Sequence, residues 1–462
     1  LFLSLILLIL TIYFCPQSYS NEPFSLVGGF DIDNELVCRD SVIGQKIDRY
    51  LSAMEVLGFS GAIIVSKGDG VVLRKGYGYA NRETRQPYTP TTVQSSGSIT
   101  KQMTAAAILL LESQNQLSVE DPITKYFENV PEDKQSITIH QLLTHSSGLV
   151  GGVGADHEPI RKQTYLDRVM SEPLQFDPGT DYGYSNSGYS LLGMIVERVS
   201  GESYETFLRN ELLLPSNMTN TGYILPDWSR STLAVGYRKG ERWGIVYERG
   251  WIEDGPNWVL RANGGLHTTV DDMYKWLKTV QGRGVLDENV VRRWTTAYVS
   301  ENNGRSDYGY GWVIYEHNKW GKVITHSGSN RIFEADFAWL PEKDFFYYIQ
   351  GNTSMFPAAN QGGNILAAAF DSGFVMPPLV KMNDTANPET AQNREGIYHL
   401  DGGKLELTSD DTRLVAKLWG QSAINLLLNP GKKEKKQFAE LNRRTRDAMD
   451  KLKAGQKDAL AG

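Results

Sequence analysis

Ser98 and Lys101 stand three residues apart in Gly97-Ser-Ile-Thr-Lys101, directly before the apolar run 103–111 (MTAAAILLL). On a helix, residues three apart share a face and are separated by about 4.5 Å of rise, so the lysine amine reaches the serine hydroxyl. Burial among apolar walls disfavours the charged ammonium and lowers its pKa, and a neutral amine can take the hydroxyl proton. The helix N-terminus adds a positive dipole end and free backbone N–H groups that stabilise a developing oxyanion. Taken alone, the tetrapeptide also fits a helix cap followed by a surface lysine. Other chemistries have less behind them. The histidines are scattered, and His140 and His145, five positions apart, miss the i, i+4 grip of helical metal sites. No metal and no cofactor is expected. The chain lacks GxxxxGK[ST], GxGxxG and GxSxG, which removes the phosphate-cradling loops and the nucleophile elbow of α/β-hydrolases.

The elements that must carry this pair can be read from periodicity. Residues 40–57 place Val42, Ile43, Ile47, Tyr50, Leu51 and Met54 on one helical face. Residues 61–66 and 71–75 read as two strands joined by the turn Lys67-Gly68-Asp69-Gly70. The stretch 103–111 is apolar nearly all round, as expected of a helix buried inside a domain. From about 98 to 235 the pattern is mainly helical, and strands return at 310–315, 322–326, 334–340 and 345–350. The expected fold is therefore α/β. An antiparallel sheet built from both chain ends (about 40–97 and 308–374) is flanked by helices and encloses an inserted, mainly helical domain. Residues 376–393 are polar, Pro-containing and aperiodic and read as a linker. Residues 394–462 read as a small accessory region, with two or three short strands at 396–428 and an amphipathic helix at 432–460.

Composition bounds the rest. The chain has 462 residues, 40% hydrophobic and 22% charged, a globular composition with enough apolar material for a large core. Net charge is −7 and the pI about 5.7, so no overall positive field draws nucleic acid. Residues 431–462 hold ten Lys/Arg against five Asp/Glu. Contact with an anionic membrane or cell envelope is the sharper reading of this tail, and a solvated helix docked by its apolar stripe the plainer one. The first 14 residues are almost wholly apolar, and Ser18 and Ser20 suit a cut before Asn21. Residues 1–20 thus read as a signal peptide, and the protein as exported, periplasmic or secreted. Cys38 would then be the one cysteine left, so the fold stands without an internal disulfide.

Two further segments sharpen the chemistry. Tyr184-Ser185-Asn186 follows the Ser–Lys pair by about 85 residues, and His326-Ser327-Gly328 follows that by about 140 at the end of a strand. The three together resemble the active-site set of the serine β-lactamase and penicillin-binding-protein superfamily: SxxK, YxN and [KH]-[ST]-G. Residues 137–149 (ITIHQLLTHSSGL), Pro178-Gly179, 191–193 (LLG) and 262–266 (ANGGL) are similar to segments of the same family. The likeness spans roughly 40–374 and is nearest to the class C β-lactamase, D-alanyl-D-alanine carboxypeptidase and family VIII esterase branch. It implies a β-lactamase/transpeptidase-like fold, with Ser98 as the nucleophile of an acyl-enzyme. Lys101 and Tyr184 would share proton transfer, the choice of base left open. Asn186, His326, Ser327 and Gly328 would contact substrate, and the N–H groups of Ser98 and Ser329 would form the oxyanion hole. His326 departs from the lysine of typical class C β-lactamases, which weakens recognition of a substrate carboxylate. His145 and the turn after it read as structural, and the 263–265 glycine segment as a tight backbone approach. Trp243, Trp251, Trp258 and Trp312 are candidates to line a pocket, though most aromatics serve the core. The expected partner is a small-molecule or peptide substrate (a β-lactam, D-amino-acid peptide or carboxylic ester). Oligomeric state is not legible. The alternatives are a family VIII-type carboxylesterase and, from another class, an inactive cell-envelope binding module.

Overall fold

The computed structural model describes residues 40–56, 58–228, 233–354 and 356–374, together with three strands between 396 and 420. The expected signal peptide at 1–20, the expected linker at 376–393 and the expected amphipathic helix at 432–460 lie outside the described residues. Eight strands make the main sheet: β1 Gly61–Lys67, β2 Gly70–Tyr77, β3 Val299–Glu301, β4 Ser306–Tyr308, β5 Val313–His317, β6 Gly321–Ser329, β7 Glu334–Leu340 and β8 Phe345–Gly351. Their spatial order is β2-β1-β8-β7-β6-β5-β4-β3, and every neighbouring pair is antiparallel. The N-terminal hairpin joins the C-terminal strands through β1 and β8, with Gly61 opposite Gly351 and Lys67 opposite Phe345. A further antiparallel meander, β9 Gly396–Leu400, β10 Gly403–Asp410 and β11 Arg413–Gly420, follows in sequence.

Strand alternation builds two cores, one on each face of the sheet. Ala62 and Ile64 of β1, Phe337 of β7, and Phe346 and Tyr348 of β8 enter one core with the helical region. Ile63, Val65, Ala338, Leu340, Tyr347 and Ile349 enter the other, beneath α1 (Val42–Val56) and the helix Gly362–Phe370. Because both faces are covered, β8 is buried at every position, and its sequence FFYYIQG runs apolar rather than alternating.

The sequence-derived strands agree with the sheet except at its far edge. The strand expected at 310–315 begins at Val313, because Gly309 N–H donates to the Trp312 carbonyl at 2.8 Å and Gly311 takes φ +80°. That turn ends pairing locally. The short strands β3, at the edge, and β4 beside it carry no strong alternation and were not expected. Helix α2, Thr100–Ser113, is buried at every residue from Thr100 to Leu109, and α3, Asn186–Ser200, packs against it. Helical structure also extends past the expected limit of 235, at Val270–Val280 and Glu288–Trp294.

Candidate active site

Between Thr92 and Leu109 every residue but one is buried, and that one is Ser98. It sits in the turn Gly97–Ile99 that feeds α2. The turn is tied to the segment 264–268 on one side. Ser96 N–H donates to the Leu266 carbonyl at 2.8 Å, and Leu266 N–H donates to Thr100 Oγ1 at 3.1 Å. On the other side it meets the end of β6. Gly97 adopts φ +56°, and a Cβ there would lie 2.5 Å from Ser329 N. A Cβ on Gly328 would lie 1.9 Å from the Ser96 carbonyl oxygen. Two glycines are thus required where the strand crosses the turn, because no side chain fits between the backbones. β5 pairs with β6 only as far as Thr325, which frees the backbone of 326–329 on the side facing Ser98. A Cβ on Gly328 would also lie 3.1 Å from Ser98 N, so the backbone nitrogens of Ser98 and Ser329 both lie at this crossing, where an oxyanion hole would need them.

Lys101, in the first turn of α2, is fully buried. Its Nζ lies 3.2 Å from Ser98 Oγ, 2.7 Å from Asn186 Oδ1 and 2.7 Å from the Asn263 carbonyl oxygen. Burial holds this amine well below the ordinary lysine value. A neutral amine has two N–H donors and one lone pair. Both donors are taken by the two carbonyl-type acceptors, which leaves the lone pair for the Ser98 hydroxyl. In this state Ser98 donates to Lys101. The Asn263 contact was not legible as a functional one, since a carbonyl has no residue type. Only its place in a Gly-rich approach to the core hinted at it.

Tyr184 and Asn186 reach the pair from the opposite wall. Ser185 caps α3, its Oγ accepting from Gly188 N–H at 3.0 Å and donating to the Val150 carbonyl at 2.8 Å. Asn186 N–H donates to the Gly151 carbonyl at 2.8 Å. Beneath them His145, buried and at φ +59°, accepts from Ser185 N–H through Nδ1 at 3.1 Å. Its ring centroid is 4.3 Å from that of Tyr184. The segment 144–151 is therefore the bed on which the second motif lies, and His145 holds it there. Burial, foremost, keeps His145 neutral. Lys101 Nζ lies 4.8 Å from the Tyr184 ring centroid, which brings the phenol beside the Ser98–Lys101 pair. Desolvation pushes that phenol upward, the nearby Ser98 hydroxyl pulls it partly back, and Glu301 adds an upward push. Tyr184 is 37% exposed, so the upward shift is smaller than for a sealed phenol and the cluster opens to solvent. Glu301, which accepts from Ser306 Oγ at 2.9 Å and stands near Tyr182, is a carboxylate near the site that no motif announced.

The third motif behaves differently from the expectation of a substrate-facing histidine. His326 is 4% exposed; its Nε2 meets Tyr308 Oη at 3.0 Å and its Nδ1 the Ser327 carbonyl at 2.6 Å. The carbonyl must accept, which makes Nδ1 the protonated nitrogen and Nε2 the acceptor from Tyr308. Burial, foremost, pushes the ring down to about 3. His326 therefore presents no cation to the cleft. Strand alternation turns Ser327 and Ser329 outward instead, and both are exposed. Of the tryptophans considered for the pocket, Trp258 and Trp312 are core residues, while Trp243 and Trp251 are only partly buried. Among the described residues no group of His, Cys, Asp or Glu is arranged to hold a metal ion.

Residues 52–370 match the family model described as Beta-lactamase. Penicillin-binding protein 4* of Bacillus subtilis is 27% identical over 408 residues, covering 80% of this chain and 86% of that protein. The octameric penicillin-binding protein homologue from Pyrococcus abyssi superposes with a TM-score of 0.62 at 27% identity, over 81% of this chain and 90% of its own. A class C beta-lactamase shares the fold at the same TM-score of 0.62 with 19% identity, over 72% of this chain and 97% of its own.

Proposed function

The chain belongs to the Beta-lactamase family and is a serine hydrolase, and from this premise we propose that it cleaves a carboxylic ester or an amide through an acyl-enzyme on Ser98. The observation that carries the reading is the buried Lys101 amine, 3.2 Å from the Ser98 hydroxyl with both its donors engaged elsewhere. Ser98 Oγ attacks the substrate carbonyl carbon while its proton passes to Lys101. The carbonyl oxygen becomes an oxyanion between the N–H groups of Ser98 and Ser329. Collapse of the tetrahedral intermediate breaks the bond to the alcohol or amine, which leaves with a proton from Tyr184, and Tyr184 regains a proton from Lys101. Water then attacks the acyl carbon as one of its protons passes to the neutral Lys101, and collapse of the second intermediate releases the acid as Ser98 Oγ takes that proton back. The upward push on the phenol supports Tyr184 as donor and Lys101 as base.

The neutral, buried His326 supports a substrate recognised without a fixed cation at the third motif. Esters and peptide amides fit this better than β-lactams, whose carboxylate would find weak purchase there. Relatives named as penicillin-binding proteins support slow acylation by a penicillin all the same. Export rests on the leader at residues 1–20 alone.

Intact-protein mass spectrometry after exposure to p-nitrophenyl butyrate and to benzylpenicillin tests the proposal. We expect turnover of the ester with a transient adduct on Ser98, a slower penicilloyl adduct on the same residue, and neither in Ser98→Ala. An adduct elsewhere, or ester turnover equal in Ser98→Ala, rejects it.

A further inference from the structure

Glu334 is a buried carboxyl, 6% exposed, that forms no ion pair among the described residues. It opens β7 directly opposite Ser329 at the end of β6. Its Oε1 accepts from Ser329 Oγ at 2.7 Å, and that oxygen in turn accepts from Arg331 N–H at 3.0 Å. The chain Arg331 N–H, Ser329 hydroxyl, Glu334 carboxyl thus fastens the tip of the β6–β7 hairpin to the neighbouring strand. The Glu334 backbone is held as well, its carbonyl accepting from Gln94 Nε2 at 3.0 Å, four residues before Ser98. Ser329 N, meanwhile, abuts Gly97 so closely that no Cβ would fit.

From this geometry we infer that Glu334 is a positioning residue for the oxyanion hole, holding Ser329 through its hydroxyl so that the Ser329 and Ser98 N–H groups converge. The inference rests on the reading of Ser98 as nucleophile. A hole works only when its donors are fixed before charge develops, since reorganisation at the moment of reaction consumes the gain. Burial without a neighbouring cation raises the carboxyl to about 7, and the Ser329 bond is the one influence opposing it. A buried acid left without a counter-charge is costly to a fold, and such costs concentrate at functional sites.

The test uses the full chain with Glu334→Ala, Glu334→Gln, Ser329→Ala and the double variant Glu334→Ala/Ser329→Ala. Each is measured for p-nitrophenyl butyrate kinetics and for binding of phenylboronic acid, whose tetrahedral adduct on Ser98 places an oxygen in the hole. Glu334→Ala is expected to lower kcat about tenfold with little change in KM and to weaken the boronate by a similar factor. Glu334→Gln, which keeps an acceptor, should recover most of both losses. Ser329→Ala should reproduce the alanine variant, and the double variant should be no worse than either single one. Wild-type kcat and boronate affinity in Glu334→Ala, failure of Gln to recover them, or losses that multiply in the double variant would each overturn the inference. If Glu334→Ala does not fold, Ser329→Ala, which keeps the Glu334 side chain in place, decides the matter by the same readouts. Failure of the Ser98 reading is a separate result, seen as absent turnover in the wild-type protein.

Discussion

The amine of Lys101 decides what the site can do, because its protonation state follows from its partners. Two acceptors at 2.7 Å consume its donors, and burial removes the water that would solvate a third proton. Lys101→Arg should therefore lower kcat at least about 10³-fold, since guanidinium does not release its proton at neutral pH. Steady-state ester hydrolysis checks this. Replacing Asn186 by Asp puts an anion 2.7 Å from the amine and favours its charged form. The acid limb of kcat/KM, where Lys101 becomes protonated, should then move to higher pH, and activity at pH 7 should fall. His326 makes a stability prediction. Its folded value of about 3 lies below the ordinary 6.5, so on acidification the unfolded chain takes the proton first. Stability is lost progressively as pH falls from about 6.5 towards 3. In urea unfolding, His326→Gln should lose less stability than wild type between pH 7 and pH 4, by on the order of a few kcal/mol.

At the scale of elements, the site exists because β6 and the turn before α2 approach closer than any side chain allows. Gly328→Ala would drive a methyl to 1.9 Å from the Ser96 carbonyl oxygen. One of the two backbones must yield, and the separation of the Ser98 and Ser329 N–H groups changes with it. The expected outcome is a loss of about 10²-fold or more in kcat while circular dichroism still reports the wild-type secondary structure. Both participating elements were legible in sequence. The run 103–111 announced a helix buried on all sides, and 322–326 announced the strand that ends in the third motif. Strands β3 and β4 were not legible, because three-residue strands carry too short a pattern to separate from a loop. Glu301, at the end of β3, went unrecognised with them.

The whole molecule is a sheet between two cores, and the second core holds a titrating group of its own. Asp336 is buried, accepts from Tyr347 Oη at 2.6 Å, and is raised by burial from 3.8 to about 8. Between those values the folded chain binds a proton that the unfolded chain has released, so stability falls as pH rises. Asp336→Asn has no proton to lose. It should melt higher than wild type at pH 9, with the difference vanishing below about pH 4 in thermal unfolding scans. By itself the sequence determined which residue types occur, in what order, and which segments alternate or bury a face, because local periodicity is written directly into side-chain polarity. That sufficed for the α/β layering and for the Ser98–Lys101 pair, while Tyr184 and Asn186 were named by the resemblance of their motif to a known family. Only the tertiary structure decided that Asn263 offers its carbonyl to Lys101, that His145 supports the Tyr184 loop, and that His326 turns inward as a neutral ring. Those facts depend on desolvation and on distances between residues far apart in the chain, and neither quantity is encoded in any one segment.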